Sequence, residues 1–211
     1  MVGDTPHASV LEVDVSKIHT LLGSISSPQQ IDRVKIIATR ADYLTLGECD
    51  RVIALGELFE QEVGTLGADQ TMKQSTRRSN VTYLMHTGDT SWLYEKLGLA
   101  IQAVNADAYH YSLTGIEAIQ LAVYEEGDHY DWHQDIDVFE NSTRKLGMSI
   151  QVSDPEDYEG GDLDFFKVPD ATTRRLGSVI FFPSFLHHCI TPVTRGRRYS
   201  LVAWAHGDAF R

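Results

Sequence analysis

Leu146-Gly147-Met148-Ser149-Ile150-Gln151-Val152 sets large apolar residues at every second position against small or polar ones. A period of two belongs to a β-strand, whose successive side chains point to opposite faces. Upstream, Ile119, Leu121 and Val123 alternate with Gln120, Ala122 and Tyr124, which reads as a half-buried strand. Downstream, Gly160-Gly161 makes a turn into a strand from Leu163 to Phe166, and Val179 to Phe182 is a short apolar run ended by Pro183. Tyr199 to Trp204 is the last strand. Farther towards the N-terminus the rhythm changes. Val52, Ile53, Leu55, Leu58 and Phe59, spaced by threes and fours, predict a helix from Leu46 with one apolar face. A second helix is expected from Ser91 to Ala106, burying Trp92, Leu93, Leu97, Ile101 and Val104. Thr65 to Arg78 reads as a polar loop. Two helices followed by short strands at turn-separated intervals predict an α+β domain, mainly β, built round a barrel or sandwich. Residues 1–40 are expected to be an extension packed on the main domain, residues 41–211, as a peripheral helix or strand.

The chain of 211 residues is long enough for one domain with a sizeable core. Its 18 basic and 30 acidic residues leave a formal charge of −12. So acidic a body repels phosphate, which argues against a general nucleic-acid binder. The 42% hydrophobic and 23% charged fractions exclude wholesale disorder. Cys49 and Cys189 are too few for a disulfide-built fold and read as small apolar fillers. No apolar run is long enough to span a membrane, so no membrane partner is expected. Asp4, Glu12 and Asp14 stand where a signal peptide would carry a basic start and an apolar stretch, so the expected location is cytoplasmic. Oligomeric state is not legible.

The chemistry concentrates in Tyr130-Asp131-Trp132-His133-Gln134-Asp135. In extended backbone, positions i and i+2 share a face, so His133 and Asp135 present an imidazole and a carboxylate to one point. That is two-thirds of a 2-His-1-carboxylate site, which suits Fe(II) and leaves three positions open. Alone, a His-x-Asp pair is weak, since a surface histidine beside a surface acid is the commoner case. The missing histidine can come from Phe185-Leu186-His187-His188-Cys189-Ile190-Thr191-Pro192-Val193. Ten positions beyond His188 stands Arg198, and strand parity sets Arg198, Ser200, Val202 and Trp204 on one face. A cation on an otherwise apolar strand is poorly explained by a solvated face.

Together these residues resemble the iron- and 2-oxoglutarate-dependent oxygenases, in the prolyl 4-hydroxylase-like branch that includes the PKHD-type hydroxylases. The matching text is Tyr124-Glu125-Glu126-Gly127, Tyr130, His133, Asp135, Ser149 to Pro155, Tyr158-Glu159-Gly160-Gly161-Asp162-Leu163 and His188 to Trp204. It spans roughly residues 41 to 207 in the family's order. The resemblance implies a double-stranded β-helix, or jelly roll, with supporting N-terminal helices. It implies that His133, Asp135 and His188 bind Fe(II), with 2-oxoglutarate and O2 as co-substrates and ascorbate as a candidate reductant. Arg198 would hold the distal carboxylate of 2-oxoglutarate, with Ser200, Tyr124 and, more loosely, Gln151 beside it. Arg144 and Trp204 match positions that face the substrate channel in prolyl hydroxylases. His187 is a rival ligand, but it stands eleven positions from Arg198 and shifts the His-x-x-x-Pro-Val pattern by one, so His188 is preferred and His187 is left a role behind the ligands or in packing.

Two departures stand out. Several prolyl hydroxylases use lysine where Arg198 stands, which keeps the charge. Leu163 replaces a hydroxyl residue of some relatives, which argues against a collagen-type enzyme. Asp135 favours hydroxylation, because halogenating relatives carry a small residue there. Phe181, Phe182 and Phe185 are expected to help exclude water. The implied function is hydroxylation of a prolyl or other amino-acid side chain in a protein, peptide or free amino acid. The alternatives are a catalytically silent metal-binding or oxygen-sensing module on the same fold, or a nucleic-acid demethylase. The last needs phosphate contacts, and Arg77-Arg78, Arg174-Arg175 and Arg195-Gly196-Arg197 are only short clusters expected in solvated loops. Specificity is assigned to the loops Thr65 to Arg78 and Asp137 to Thr143.

Overall fold

The computed structural model describes residues 36–59, 62–63, 76–137, 141–169 and 172–209. They belong to one compact unit, Val34–Arg211. The expected extension lies outside the described residues up to position 35, and its last three residues, Ala38–Arg40, form a strand, β1. Most of the loop expected from Thr65 likewise falls outside them.

Thr45 starts the first helix, α1 (Leu46–Glu57), through a reciprocal cap. Its hydroxyl accepts from the Glu48 N–H at 3.3 Å, and its own N–H donates to Glu48 Oε2 at 2.8 Å. The helix ends two residues earlier than its apolar spacing predicts. Leu58 is 79% exposed and Phe59 37% exposed, so the buried face is Cys49, Val52, Leu55 and Gly56 instead. After the short strands β2 (Glu62–Val63), β3 (Arg77–Arg78) and β4 (Asn80–Leu84), the second helix, α2 (Ser91–Val104), buries Leu93, Leu97, Ala100 and Ile101. A π-helical turn, Asn105–Tyr109, closes it. Lys96 of α2 reaches Glu48 of α1 at 2.6 Å, so the residue that caps one helix also ties the two together.

The remaining strands are β5 (Leu113–Ile116), β6 (Ile119–Tyr124), β7 (His129–His133), β8 (Arg144–Gln151), β9 (Tyr158–Gly160) and β10 (Leu163–Phe165). They are followed by β11 (Val179–Pro183), β12 (His188–Ile190), β13 (Val193–Gly196) and β14 (Arg198–Gly207). The large sheet runs β1-β11-β8-β14-β6-β4-β2, with β5 also paired to β14. A small sheet runs β10-β12-β7-β3, and β13 pairs with β9. All the pairings are antiparallel. Two facing antiparallel sheets of this kind form the double-stranded β-helix.

The alternation along the central strands sorts side chains into two layers. Leu121, Met148, Ile150, Phe181, Leu201 and Ala203 point towards the helices and pack with Val52, Leu93 and Leu97. Ala122, Tyr124, Ile180 and Phe182 point the other way and meet Leu163, Phe165 and Ile190 of the small sheet. The strand Ile119–Tyr124 is therefore buried along its whole length rather than half-buried. Period-two alternation marks which face a residue takes, and both faces of this sheet are covered. Phe181 faces the helices, so it is no part of the site's apolar surround.

Candidate metal and co-substrate site

The site lies between the two sheets, on the layer opposite the helices. β7 ends at His133 and leads two residues on to Asp135, while β12 opens with His188 directly opposite His133 in register. Pairing of two strands thus brings together residues 55 positions apart in sequence. The ligand atoms of His133, Asp135 and His188 all lie within 4.8 Å of one another. Each histidine Nε2 stands 3.7 Å from a different oxygen of Asp135, His133 from Oδ1 and His188 from Oδ2. Their outer nitrogens are held by backbone carbonyls: His133 Nδ1 by Asp131 at 2.7 Å and His188 Nδ1 by Leu186 at 2.9 Å. A carbonyl can only accept, so Nδ1 carries the proton and each Nε2 lone pair is aimed at the cluster.

Three features fit a divalent cation there. Asp135 Oδ2 is buried without a hydrogen-bond partner, a costly arrangement for a carboxylate unless an ion answers it. Burial first, and the neighbouring His188 second, push the His133 pKa down to about 4, so the imidazole is neutral and free to ligate. Two imidazoles and one carboxylate suit Fe(II). Gly147 of β8 makes room for the carboxylate, since a Cβ there would lie 3.1 Å from Asp135 Oδ2 and 2.8 Å from Phe182.

The His133 ring stacks on Tyr130 at 3.5 Å between centroids, and Phe182 lies 4.8 Å from His188. Phe185, by contrast, is 43% exposed and does not seal the site. His187 is also exposed, and it is not among the three residues whose ligand atoms cluster, so no packing role is left to it.

Arg198 opens β14 on the same layer. It is 3% exposed, and among the described residues no carboxylate lies within ion-pair distance of it. Its Nη1 donates to Ser200 Oγ at 3.2 Å, and its Cζ stands 5.5 Å from the Tyr124 ring. A buried guanidinium left without an anion fits an acidic ligand. The small cavity beside it is lined by Ser149, Gln151, Tyr158, Gly161 and Ile180. Gln151 Nε2 donates to the Tyr158 hydroxyl at 2.5 Å. Gly161 has φ +65°, and a Cβ there would strike Arg198 Cδ at 2.9 Å. The sequence assigns no site role to Tyr158, Gly161 or Gly147, and reads Gly161 only as part of a turn; the first two lie inside the Tyr-Glu-Gly-Gly stretch, which is the available signal.

Arg144 and Trp204 stand together. The guanidinium lies 4.0 Å over the indole and donates to the Asp135 carbonyl at 3.3 Å. The structure thus brings His133, Asp135 and His188 into one cluster, groups Arg198 with Ser200, Tyr124 and Gln151, and ties Arg144 with Trp204 to the backbone of the carboxylate.

Residues 119–206 match the sequence model of the 2OG-Fe(II) oxygenase superfamily. That match spans less than half of the chain, and over it the chain is similar to that superfamily. It is 35% identical over 91 residues to a PKHD-type hydroxylase of Synechococcus sp. (strain CC9902), covering 42% of this chain and 41% of that one. The chain thus matches about two-fifths of the length of that relative. Its fold is that of the viral collagen prolyl hydroxylase from Paramecium Bursaria Chlorella virus-1, with a TM-score of 0.64 at 21% identity over 82% of this chain and 97% of that one. It also resembles a Trichoplax adhaerens prolyl hydroxylase solved with a peptide fragment of hypoxia inducible factor, with a TM-score of 0.67 at 16% identity over 81% and 83% of the two chains. These likenesses establish the double-stranded β-helix.

Proposed function

We propose that this chain is a member of the superfamily, an Fe(II)- and 2-oxoglutarate-dependent dioxygenase that hydroxylates an unactivated C–H bond of a prolyl or other amino-acid side chain. The observation that carries this reading is the convergence of His133, Asp135 and His188 beside a buried Arg198 that lacks an anion. The Synechococcus relative named as a hydroxylase, and the peptide held by the Trichoplax enzyme, support a protein or peptide substrate over other classes. When bound, Fe(II) and 2-oxoglutarate supply the oxidation, in which O2 places one oxygen atom in the C–H bond and the other in succinate, with release of CO2.

The chain's own residues do the rest. His133, Asp135 and His188 would hold the metal, and a set of only three protein ligands would leave room for the co-substrates. Arg198 would hold the distal carboxylate of 2-oxoglutarate through a two-bond fork, with Ser200 Oγ and the Tyr124 ring beside the guanidinium and Gln151 and Tyr158 lining the cavity. Phe165, Phe182 and Tyr130 keep water from the ligands. Arg144 and Trp204 form a wall of the substrate mouth. Ascorbate is the candidate reductant that would keep the metal in the Fe(II) state.

Arg198 weighs against a silent metal-binding module, which has no use for a buried cation. The arginines that a nucleic-acid demethylase would turn to phosphate are engaged within the chain. Arg78 pairs with Asp128 and Arg77 stacks on Tyr130, both from β3 rather than a solvated loop. Arg174, Arg175, Arg195 and Arg197 pair with Asp162, Asp42, Glu159 and Glu125. Among the described residues no helix is long and apolar enough to cross a membrane. Cys49 and Cys189 are free, buried thiols, which fits the reducing, cytoplasmic setting this reading assumes.

The test is mass spectrometry of a peptide and amino-acid panel incubated with Fe(II), 2-oxoglutarate and O2. A product heavier by one oxygen is expected, matched by succinate. Changing His133, Asp135 or His188 to Ala should each abolish 2-oxoglutarate turnover; near-normal turnover in any one of them removes that residue from the metal site.

A further inference from the structure

Glu117 lies outside the metal cluster, on the turn between β5 and β6, yet its contacts lead back to it. Its backbone N–H donates to the Trp204 carbonyl at 3.1 Å, which fixes the turn against β14. Its carboxylate accepts Arg144 Nε at 3.1 Å and Nη2 at 2.5 Å, a two-bond fork. The same carboxylate meets His206 Nε2 at 2.8 Å. Thr143 Oγ1 stands 2.9 Å from His206 Nδ1, and its hydroxyl can donate there, which leaves the Nε2 proton for Glu117. His206 and Arg144 face each other in register across β14 and β8.

The guanidinium held in this way has two further contacts. Its Cζ lies 4.0 Å over the Trp204 ring, and it donates through Nη1 to the Asp135 carbonyl. On the other side of the same residue, the Asp135 N–H donates to the Ser184 carbonyl at 2.9 Å. The backbone that presents the carboxylate ligand is therefore tied from both directions. Arg144 is already neutralised by the Glu117 fork, so it acts through its direction rather than as a free cation for an anionic substrate.

We infer that Glu117, supported by His206, is a positioning residue for the metal site: it aims Arg144 at both Trp204 and the Asp135 backbone, so the substrate-side wall and the carboxylate ligand are set by one polar chain. The inference rests on the Fe(II) reading above and names a residue that acts on that site without touching metal or co-substrate.

The experiment measures Fe(II) affinity without O2, by competition with a chelator, together with the visible charge-transfer band that Fe(II) gives with a 2-oxo acid. Glu117→Ala should weaken Fe(II) binding about fivefold, below the ten- to hundredfold typical of direct partners of ligands, because the contact is to the main chain. Glu117→Gln, which keeps the shape and loses the charge, should weaken it by about twofold and shift the band. The double variant Glu117→Ala/Arg144→Ala should be no weaker than Arg144→Ala alone, since the carboxylate acts only through the guanidinium. A general structural role would instead make the losses add. Additive losses, or unchanged affinity and band in Glu117→Gln, overturn the inference even if the alanine variant fails to fold. Wild-type protein that binds no Fe(II) overturns the metal reading and the inference together, whereas normal wild-type binding with an unaltered variant overturns the inference alone.

Discussion

Arg198 is the residue whose environment states most plainly what it is for. A guanidinium 3% exposed and hydrogen-bonded to a serine hydroxyl has lost water without gaining an anion among the described residues. Losing one partner of such a desolvated pair typically costs ~2–5 kcal/mol. Arg198→Ala should therefore raise the 2-oxoglutarate concentration needed for half-maximal turnover by about 30-fold or more, equivalent to about 2 kcal/mol. Arg198→Lys keeps the charge but not the fork, so its loss should be smaller, and titration of turnover against 2-oxoglutarate separates the two. Fe(II) affinity should hardly move in either; weaker iron with unchanged co-substrate binding would mean that Arg198 serves the metal instead. Gly147 works in the opposite direction. Gly147→Ala pushes a methyl against Phe182 and Asp135 Oδ2, so Fe(II) affinity should fall while 2-oxoglutarate binding at Arg198 is spared. The thiols answer a simpler question. Burial pushes Cys49 and Cys189 up to about 11, so both are neutral at pH 8. A thiol reagent should modify neither in the folded protein and both in denaturant.

At the scale of elements, α1 depends on its first turn. Thr45 and Glu48 satisfy each other's backbone N–H groups, and Glu48 also carries the ion pair to Lys96 of α2. Thr45→Ala should cost about 1 kcal/mol of stability, read from the urea midpoint, with 2-oxoglutarate turnover unchanged because α1 packs on the face away from the ligands. A turnover loss larger than the stability loss would show that the helix layer reaches the site. β6, β8 and β14 explain why that separation holds. Their odd and even positions serve different layers, one set closing the core with the helices and the other carrying Tyr124, Gln151, Arg198 and Ser200. A strand buried on both faces needs apolar residues on one and can put chemistry on the other, so the polar alternates Ser149, Gln151, Arg198 and Ser200 are buried rather than on a solvated surface.

For the whole molecule, the proposed metal and 2-oxoglutarate sites are neighbouring parts of one space between the sheets, and anything bound only by the folded state stabilises it. At 100 times its dissociation constant a ligand adds about 2.7 kcal/mol. Mn(II), used in place of Fe(II) to avoid oxidation, should raise Tm in the wild type, and 2-oxoglutarate should raise it further. In Arg198→Ala the metal increment should remain and the 2-oxoglutarate increment should shrink; in His188→Ala both should fall. An unchanged 2-oxoglutarate increment in Arg198→Ala would place the acid elsewhere.

Much of this protein was legible in its residues because the relevant rules are local. The period-two alternation of Leu146 to Val152 follows from strand geometry, and the adjacency of His133 and Asp135 follows from the same rule two residues apart. The helices from Leu46 and Ser91 are written in apolar spacing, although the exposed Leu58 and Phe59 show that spacing marks a face without saying where packing stops. The ten-residue step from His188 to Arg198 joined the last two site residues through a resemblance in the text. What only the tertiary structure decided is long-range. Pairing of β12 with β7 sets His188 against His133, covering both faces of the large sheet buries β6 completely, and close packing is what makes Gly147 and Gly161 necessary. Glu117, His206 and Arg144 carry no common motif and meet because a turn and two strands end at the same edge. A sequence states what each residue prefers from its neighbours in the chain; which distant residue answers a buried charge depends on the register of strands, and that is settled only when the sheets close.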